Sequence, residues 1–160
     1  LLGFFRAIPV LMLIFWTYFL LPIVFHVDVP ALATVVCALS LIGGAYLAHS
    51  VYAGIHSLPA GQWAAARALG LRSWQVLRLV ILPQAFRKMT PLLLQQSIIL
   101  FQDTSLVYTV GLMDFLNSAR SRGDIIGQAN EFLIFAGLVY FVVSFTASFA
   151  VKRLQKRLTV

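Results

Sequence analysis

The residues with the most chemistry to offer sit where water is scarcest. Gln95, Gln96, Gln102, Asp103, Thr104 and Ser105 fall inside an apolar run over 91–113. An aspartate at the middle of a membrane helix costs about 2.5–3.5 kcal/mol on insertion scales, so something must compensate for it. Gln95 and Gln102 are seven residues apart, as are Gln96 and Asp103. A helix therefore carries all four on one stripe, facing the bundle interior or a water-filled path. Two uses fit. The amides and hydroxyls could line a translocation path and pair with a zwitterionic solute. Alternatively, Asp103 N-caps a break in the helix with Thr104 and Ser105 in its first turn, while the glutamines bond neighbouring helices.

Covalent and metal chemistry find no comparable arrangement. The single cysteine, Cys37, lies in an apolar run, which excludes an intrachain disulfide and a cysteine-based zinc site. His26, His49 and His56 are scattered without metal-ligand spacing. Asp114, Asp124 and Glu131 have no paired nucleophile nearby. No GxxxxGK[ST] phosphate loop occurs, so any nucleotide hydrolysis must come from a partner. The chain reads as a non-enzyme that binds no cofactor itself.

Composition sets the elements that position these residues. The 160 residues are 61% hydrophobic and 11% charged, with a mean hydropathy of +0.91, against roughly 25% charged in a soluble domain. Too few charges remain to wet a surface, so lipid is the solvent for much of the chain. The net charge of +7 lies between apolar runs, which indicates topology rather than nucleic-acid binding. Apolar segments at 8–25, 31–55, 91–113 and 132–151 each suit a membrane helix, predicting an all-α fold of four spans in one domain over 1–160. The stretch 56–90 carries Arg67, Arg72, Arg78, Arg87 and Lys88 and no acid, which places it in the cytoplasm. Arg6 and the tail residues Lys152, Arg153, Lys156 and Arg157 fall on the same side, and 114–131 on the other. Arg6 should snorkel at the end of the first span, with Pro9 in that span's first turn. Starting at Leu1 without an initiator Met, the sequence reads as a fragment, and any upstream spans lie outside it.

The basic loop is too rich in Ala, Leu and Trp to be a simple connection. Its residue preferences predict two short helices: the first N-capped by Ser57 and ended by Gly70, the second capped by Ser73 and stopping near Pro83. Trp63, Ala66 and Gly70, then Trp74, Leu77 and Ile81, recur at helical spacing and should form buried faces. A basic amphipathic helix can lie on a membrane surface. The small residues Ala64, Ala65, Ala66 and Gly70 instead favour close docking into a partner's groove.

Ala64, Ala65 and Ala66, three residues, Gly70, nine residues, then Val80, Ile81, Leu82 and Pro83 resemble the cytoplasmic EAA signature of permease subunits from ATP-binding-cassette importers. The stretch AGIHSLPAGQWAAARALGLRSWQVLRLVILPQAFRKMTPLLLQQ, with FRAIPVLMLIFW before it and FQDTSLVY after it, resembles the polar amino acid branch, closest to glutamate/aspartate permeases. The resemblance implies a bacterial inner-membrane transport subunit with a cytoplasmic C-terminus. It implies a coupling loop in which Gly61, Ala64, Ala65, Ala66 and Gly70 approach an ATPase subunit that carries ATP and Mg, and Leu82 and Pro83 set the return to the membrane. The implied partners are that ATPase, a second permease chain, identical or not, an external solute-binding protein docking on the far loop, and membrane lipid. Two features depart from the pattern: Ala64 replaces the signature Glu, and His49 and Tyr52 stand where relatives often carry a Glu and an Arg.

Overall fold

The computed structural model describes residues 2–26 and 28–158, and among them every regular element is helical. Helix α1 (Leu2–Ala7) leads into α2 (Val10–Phe25), α3 (Ala31–His56) and the loop helix α4 (Ala60–Ala68). A long helix, α5 (Ser73–Val110), follows; after it come α6 (Phe115–Ile126) and α7 (Ala129–Leu158). These elements occupy the four expected spans. Helices α3 and α7 are long and apolar enough to cross a membrane alone, α5 passes that test together with α6 across a 48° bend, and α2 is shorter.

Helices α3 and α5 run antiparallel at close range, and glycine permits it. A Cβ on Gly54 would lie 2.9 Å from Met89 Cβ, and one on Gly43 would lie 3.2 Å from Leu100. Leu13 and Ile14 of α2, Val35, Ala38 and Ile42 of α3, and Val107 and Val110 of α5 build one buried core. Among the described residues Ala136 and Ser144 are the buried ones of α7, most of which is exposed on this chain. Helix α7 packs on α5 and α6, as shown by the Phe101–Tyr140 and Phe115–Phe135 ring contacts.

Two Leu-Pro steps are handled alike. A π-turn over Trp16–Leu20 precedes Leu21 and Pro22, and another over Val76–Ile81 precedes Leu82 and Pro83. Proline lacks an N–H and its ring strikes the carbonyl four residues back, so the wider turn accommodates it without ending the helix. This corrects the expected stop near Pro83: α5 passes through it, and through Pro91, to Val110. The extra residue in the turn also rotates the buried face. Val76 and Ile81 are fully buried, while Trp74, expected on that face, is 63% exposed with Arg78 over its ring.

The predicted caps differ as well. Ser57 donates to the Gly54 carbonyl at the end of α3 instead of capping α4, which starts after Pro59. Ser73 is the first residue of α5, and the Arg72 N–H before it is held by Gln75 Oε1 at 2.9 Å. Pro9 sits just before α2 rather than inside its first turn. Arg6 turns inward over the Tyr46 ring, 5.5 Å from its centroid, instead of snorkelling.

Candidate functional site

Helix α4 has two faces with different partners. Ala66 is 3% exposed and packs with Leu58, Val76, Ile81 and Ala85, joined by half-buried Trp63. Gly61, Ala64 and Ala65 are exposed on the other face. Of the small residues expected at a partner, Ala66 is therefore taken up by the chain's own core. Gly70 ends the helix with φ +78° and its N–H donates to the Arg67 carbonyl at 2.9 Å. Nothing lies within 4 Å of the place a Cβ would occupy. The backbone conformation thus calls for glycine, and the space beside it is open.

The loop is strapped to α5 by one bond from α4 and one from the end of α3. Gln84 Nε2 donates to Gln62 Oε1 at 3.3 Å, and Lys88 Nζ to the Ser57 carbonyl at 3.4 Å. Leu82 is half-buried and Pro83 exposed at the base of α5. Where a Glu–Arg pair was expected to be missing, Tyr52 and His56 stack at 3.9 Å, and His56 Nδ1 lies 2.9 Å from the Tyr52 carbonyl.

The polar stripe lies further along the same helix. Gln96, Asp103, Thr104 and Ser105 are half-buried, while Gln95 and Gln102 are exposed on the outside of this chain. The stripe therefore does not turn wholly into the chain's own bundle, and half of it is left for water or another chain. Among the described residues no hydrogen bond joins the side chains of Gln95, Gln96 or Gln102 to a neighbouring helix. At Asp103 the helix tightens from α to 3-10 over Thr104–Val110 and does not break. Asp103 keeps helical φ and ψ and makes no capping bond. Thr104 and Ser105 hydroxyls donate back to the Phe101 and Gln102 carbonyls at 2.6 and 2.8 Å. The Tyr140 ring of α7 packs on Phe101 and Phe115, with ring centroids 5.4 and 6.0 Å apart.

The sequence reading missed α6, treating 114–131 as a short loop. Asp114 Oδ1 accepts from the Asn117 N–H at 2.8 Å, and Gly127 closes the helix with φ +73°. An Asp N-cap and a C-terminal Gly thirteen residues beyond the cap are the signals that could have found it. Gly123 seats it on α7: a Cβ there would lie 2.8 Å from Ala129 Cα.

Comparison with known proteins agrees with this architecture. A family described as binding-protein-dependent transport system inner membrane component matches residues 1–160. The glutamate/aspartate import permease protein GltK of Escherichia coli O157:H7 is 45% identical, over 96% of this chain and 71% of its own length. The probable glutamine ABC transporter permease protein GlnP of Bacillus subtilis (strain 168) is 35% identical, over 96% and 72%. The crystal structure of an amino acid ABC transporter with histidines superposes with a TM-score of 0.90 at 28% identity, covering 98% of this chain and 72% of that one. In sequence and in helix arrangement, the chain belongs to the family of inner membrane components of binding-protein-dependent transport systems.

Proposed function

We propose that this chain is the permease subunit of an ATP-driven importer for a polar amino acid of the glutamate/aspartate type. The observation that carries the reading is mechanical. The loop helix α4, with its exposed small face, is packed on the base of α5 through Ala66 and bonded to it through Gln62, and α5 runs without interruption to the polar stripe. A push on α4 from an ATPase subunit reaches Gln95, Gln96, Gln102, Asp103, Thr104 and Ser105 through one rigid element. In this reading Gly61, Ala64, Ala65 and Gly70 meet the ATPase, Ala66 holds the helix in place, and Leu82 and Pro83 fix its angle to the span. Hydrolysis, with its ATP and Mg, belongs to that partner.

The loop and the C-terminal tail face the cytoplasm of a bacterial cell, and α6 faces outside, where a solute-binding protein delivers its cargo. The exposed side of the polar stripe meets a second permease chain across the path. The resemblance to glutamate/aspartate and glutamine permeases supports the substrate class.

The test is to purify the full-length protein from its host in mild detergent, identify co-purifying proteins, and reconstitute the complex for uptake. An ATPase subunit and ATP-dependent accumulation of glutamate or aspartate are expected. Absence of an ATPase under conditions that retain the membrane partner would overturn the reading in favour of a membrane anchor. Asp103→Asn should lower uptake at least tenfold while the complex stays assembled; unchanged KM and rate would remove Asp103 from the path.

A further inference from the structure

At the end of the bundle away from the loop, α6 leans over the 3-10 end of α5 and encloses an open cleft of about 550 Å³. Its walls are Tyr108 and Thr109 of α5 and Asn117, Arg120, Ser121 and Asp124 of α6. The cleft between α5 and α7, by contrast, is lined by Leu94, Phe101, Val143 and Ala147 and suits only apolar matter. The Arg120 guanidinium lies 5.2 Å above the Tyr108 ring centroid, and its Nε is 3.7 Å from Asp124 Oδ2. The ring and the carboxylate orient Arg120 through its face and its Nε, leaving the terminal amino groups free for a planar carboxylate. Asn117 is held twice, its backbone N–H on Asp114 Oδ1 and its Nδ2 on the Leu112 carbonyl at 2.8 Å. Its side-chain oxygen is left as an acceptor, and Asp124 carries a negative charge one helical turn from Arg120.

A cationic fork, an amide oxygen and a carboxylate around one small concavity are the complement of an amino acid zwitterion. We propose that this cleft is a second solute site, a vestibule that takes the α-carboxylate of an amino acid on Arg120 and its ammonium on Asp124 and Asn117. Tyr108 is five residues beyond Asp103 on the same helix, about 10 Å at the 3-10 rise of ~2.0 Å per residue. The vestibule thus lies about 10 Å further along the helix than Asp103, and in this proposal it receives solute before the stripe does. This inference rests on the importer reading.

The experiment uses the full-length complex with its ATPase in nanodiscs and no binding protein, probed with radiolabelled L-glutamate and L-aspartate by scintillation proximity. Arg120→Gln should weaken binding tenfold or more, which is about 1.4 kcal/mol, and Arg120→Lys should recover only part of it. Asp124→Asn should weaken the amino acids while leaving their N-acetyl derivatives unaffected. Arg122→Gln, outside the cleft, should bind as the parent does. Binding in the parent that is insensitive to Arg120→Gln, or lost only with Asp103→Asn, would overturn the vestibule, as would no detectable binding to the parent. So would an Arg120→Gln complex that binds solute normally but needs more loaded binding protein for half-maximal ATPase stimulation, because the face would then be a protein dock. Stimulation of the parent ATPase by loaded binding protein is read in parallel samples of the same nanodiscs to which that protein is added. Its presence keeps the importer reading standing even if the vestibule fails, and its absence removes both.

Discussion

Alanine stands on both the inner and the outer face of α4, and its surroundings give it opposite duties. Ala66 on the inner face is sealed against Val76, Ile81 and Ala85. Ala64, Ala65 and Gly61 on the outer face touch open space, and so does Gly70 at the helix end. A small residue can be small because its own chain crowds it or because something else must come close. Only the neighbours distinguish the two, and they predict different losses on enlargement.

The largest effect is expected for Ala66→Trp. An indole cannot fit a site that is 3% exposed, and overpacking costs about 1–3 kcal/mol or more, so the purified yield of monodisperse protein should fall and bound ATPase with it. Gly70→Trp comes next. A side chain at φ +78° costs about 1–2 kcal/mol, which a folded bundle tolerates, while the bulk occupies the docking space. Detergent-extracted protein should keep its elution profile and lose the ATPase. If the ATPase stays bound to Gly70→Trp, the outer face is not the docking face and the comparison fails.

Ala65→Trp sharpens the contrast, since its backbone is ordinary helix and the change in unfolding should stay within about 0.5 kcal/mol, as for most surface substitutions. ATPase binding should still drop at least tenfold. The smallest effect is expected for Gln84→Ala, which removes an exposed hydrogen bond to Gln62 worth about 0.5–1.5 kcal/mol. The ATPase should remain bound, with a modest fall in solute moved per ATP hydrolysed. An unchanged ratio would show that the strap carries no force.

Charge and hydropathy made the gross plan legible. The basic, acid-free stretch 56–90 marked the loop, and four apolar runs marked the bundle, because lipid and water impose those patterns directly on composition. Gly70 was legible because a left-handed residue after a helix almost demands glycine. The continuation through Pro83 was not, since a π-turn leaves no compositional mark and proline ordinarily signals a stop. The misplacement of Trp74 follows from the same turn, as a periodicity of 3.6 residues loses its phase when one residue is inserted. Asp103 resembled a cap because Thr and Ser follow it, yet those hydroxyls bond backward to carbonyls and leave the helix intact. The cleft beside α6 pairs Tyr108 with Arg120 across a chain bend, a juxtaposition that no local pattern announces.

The passage of α5 through Pro83 also has a scale. From Ser73 to Val110 the helix is about 60 Å long at ~1.5 Å per α residue and ~2.0 Å per 3-10 residue. A tilt of about 5° about the Met89 contact moves Val110, about 35 Å further along the helix, by roughly 3 Å. Had the helix ended at Pro83, each step of the transmission would have lost motion at a joint. A rod with its fulcrum among the glycine contacts of α3 could open one end of a path while it closes the other.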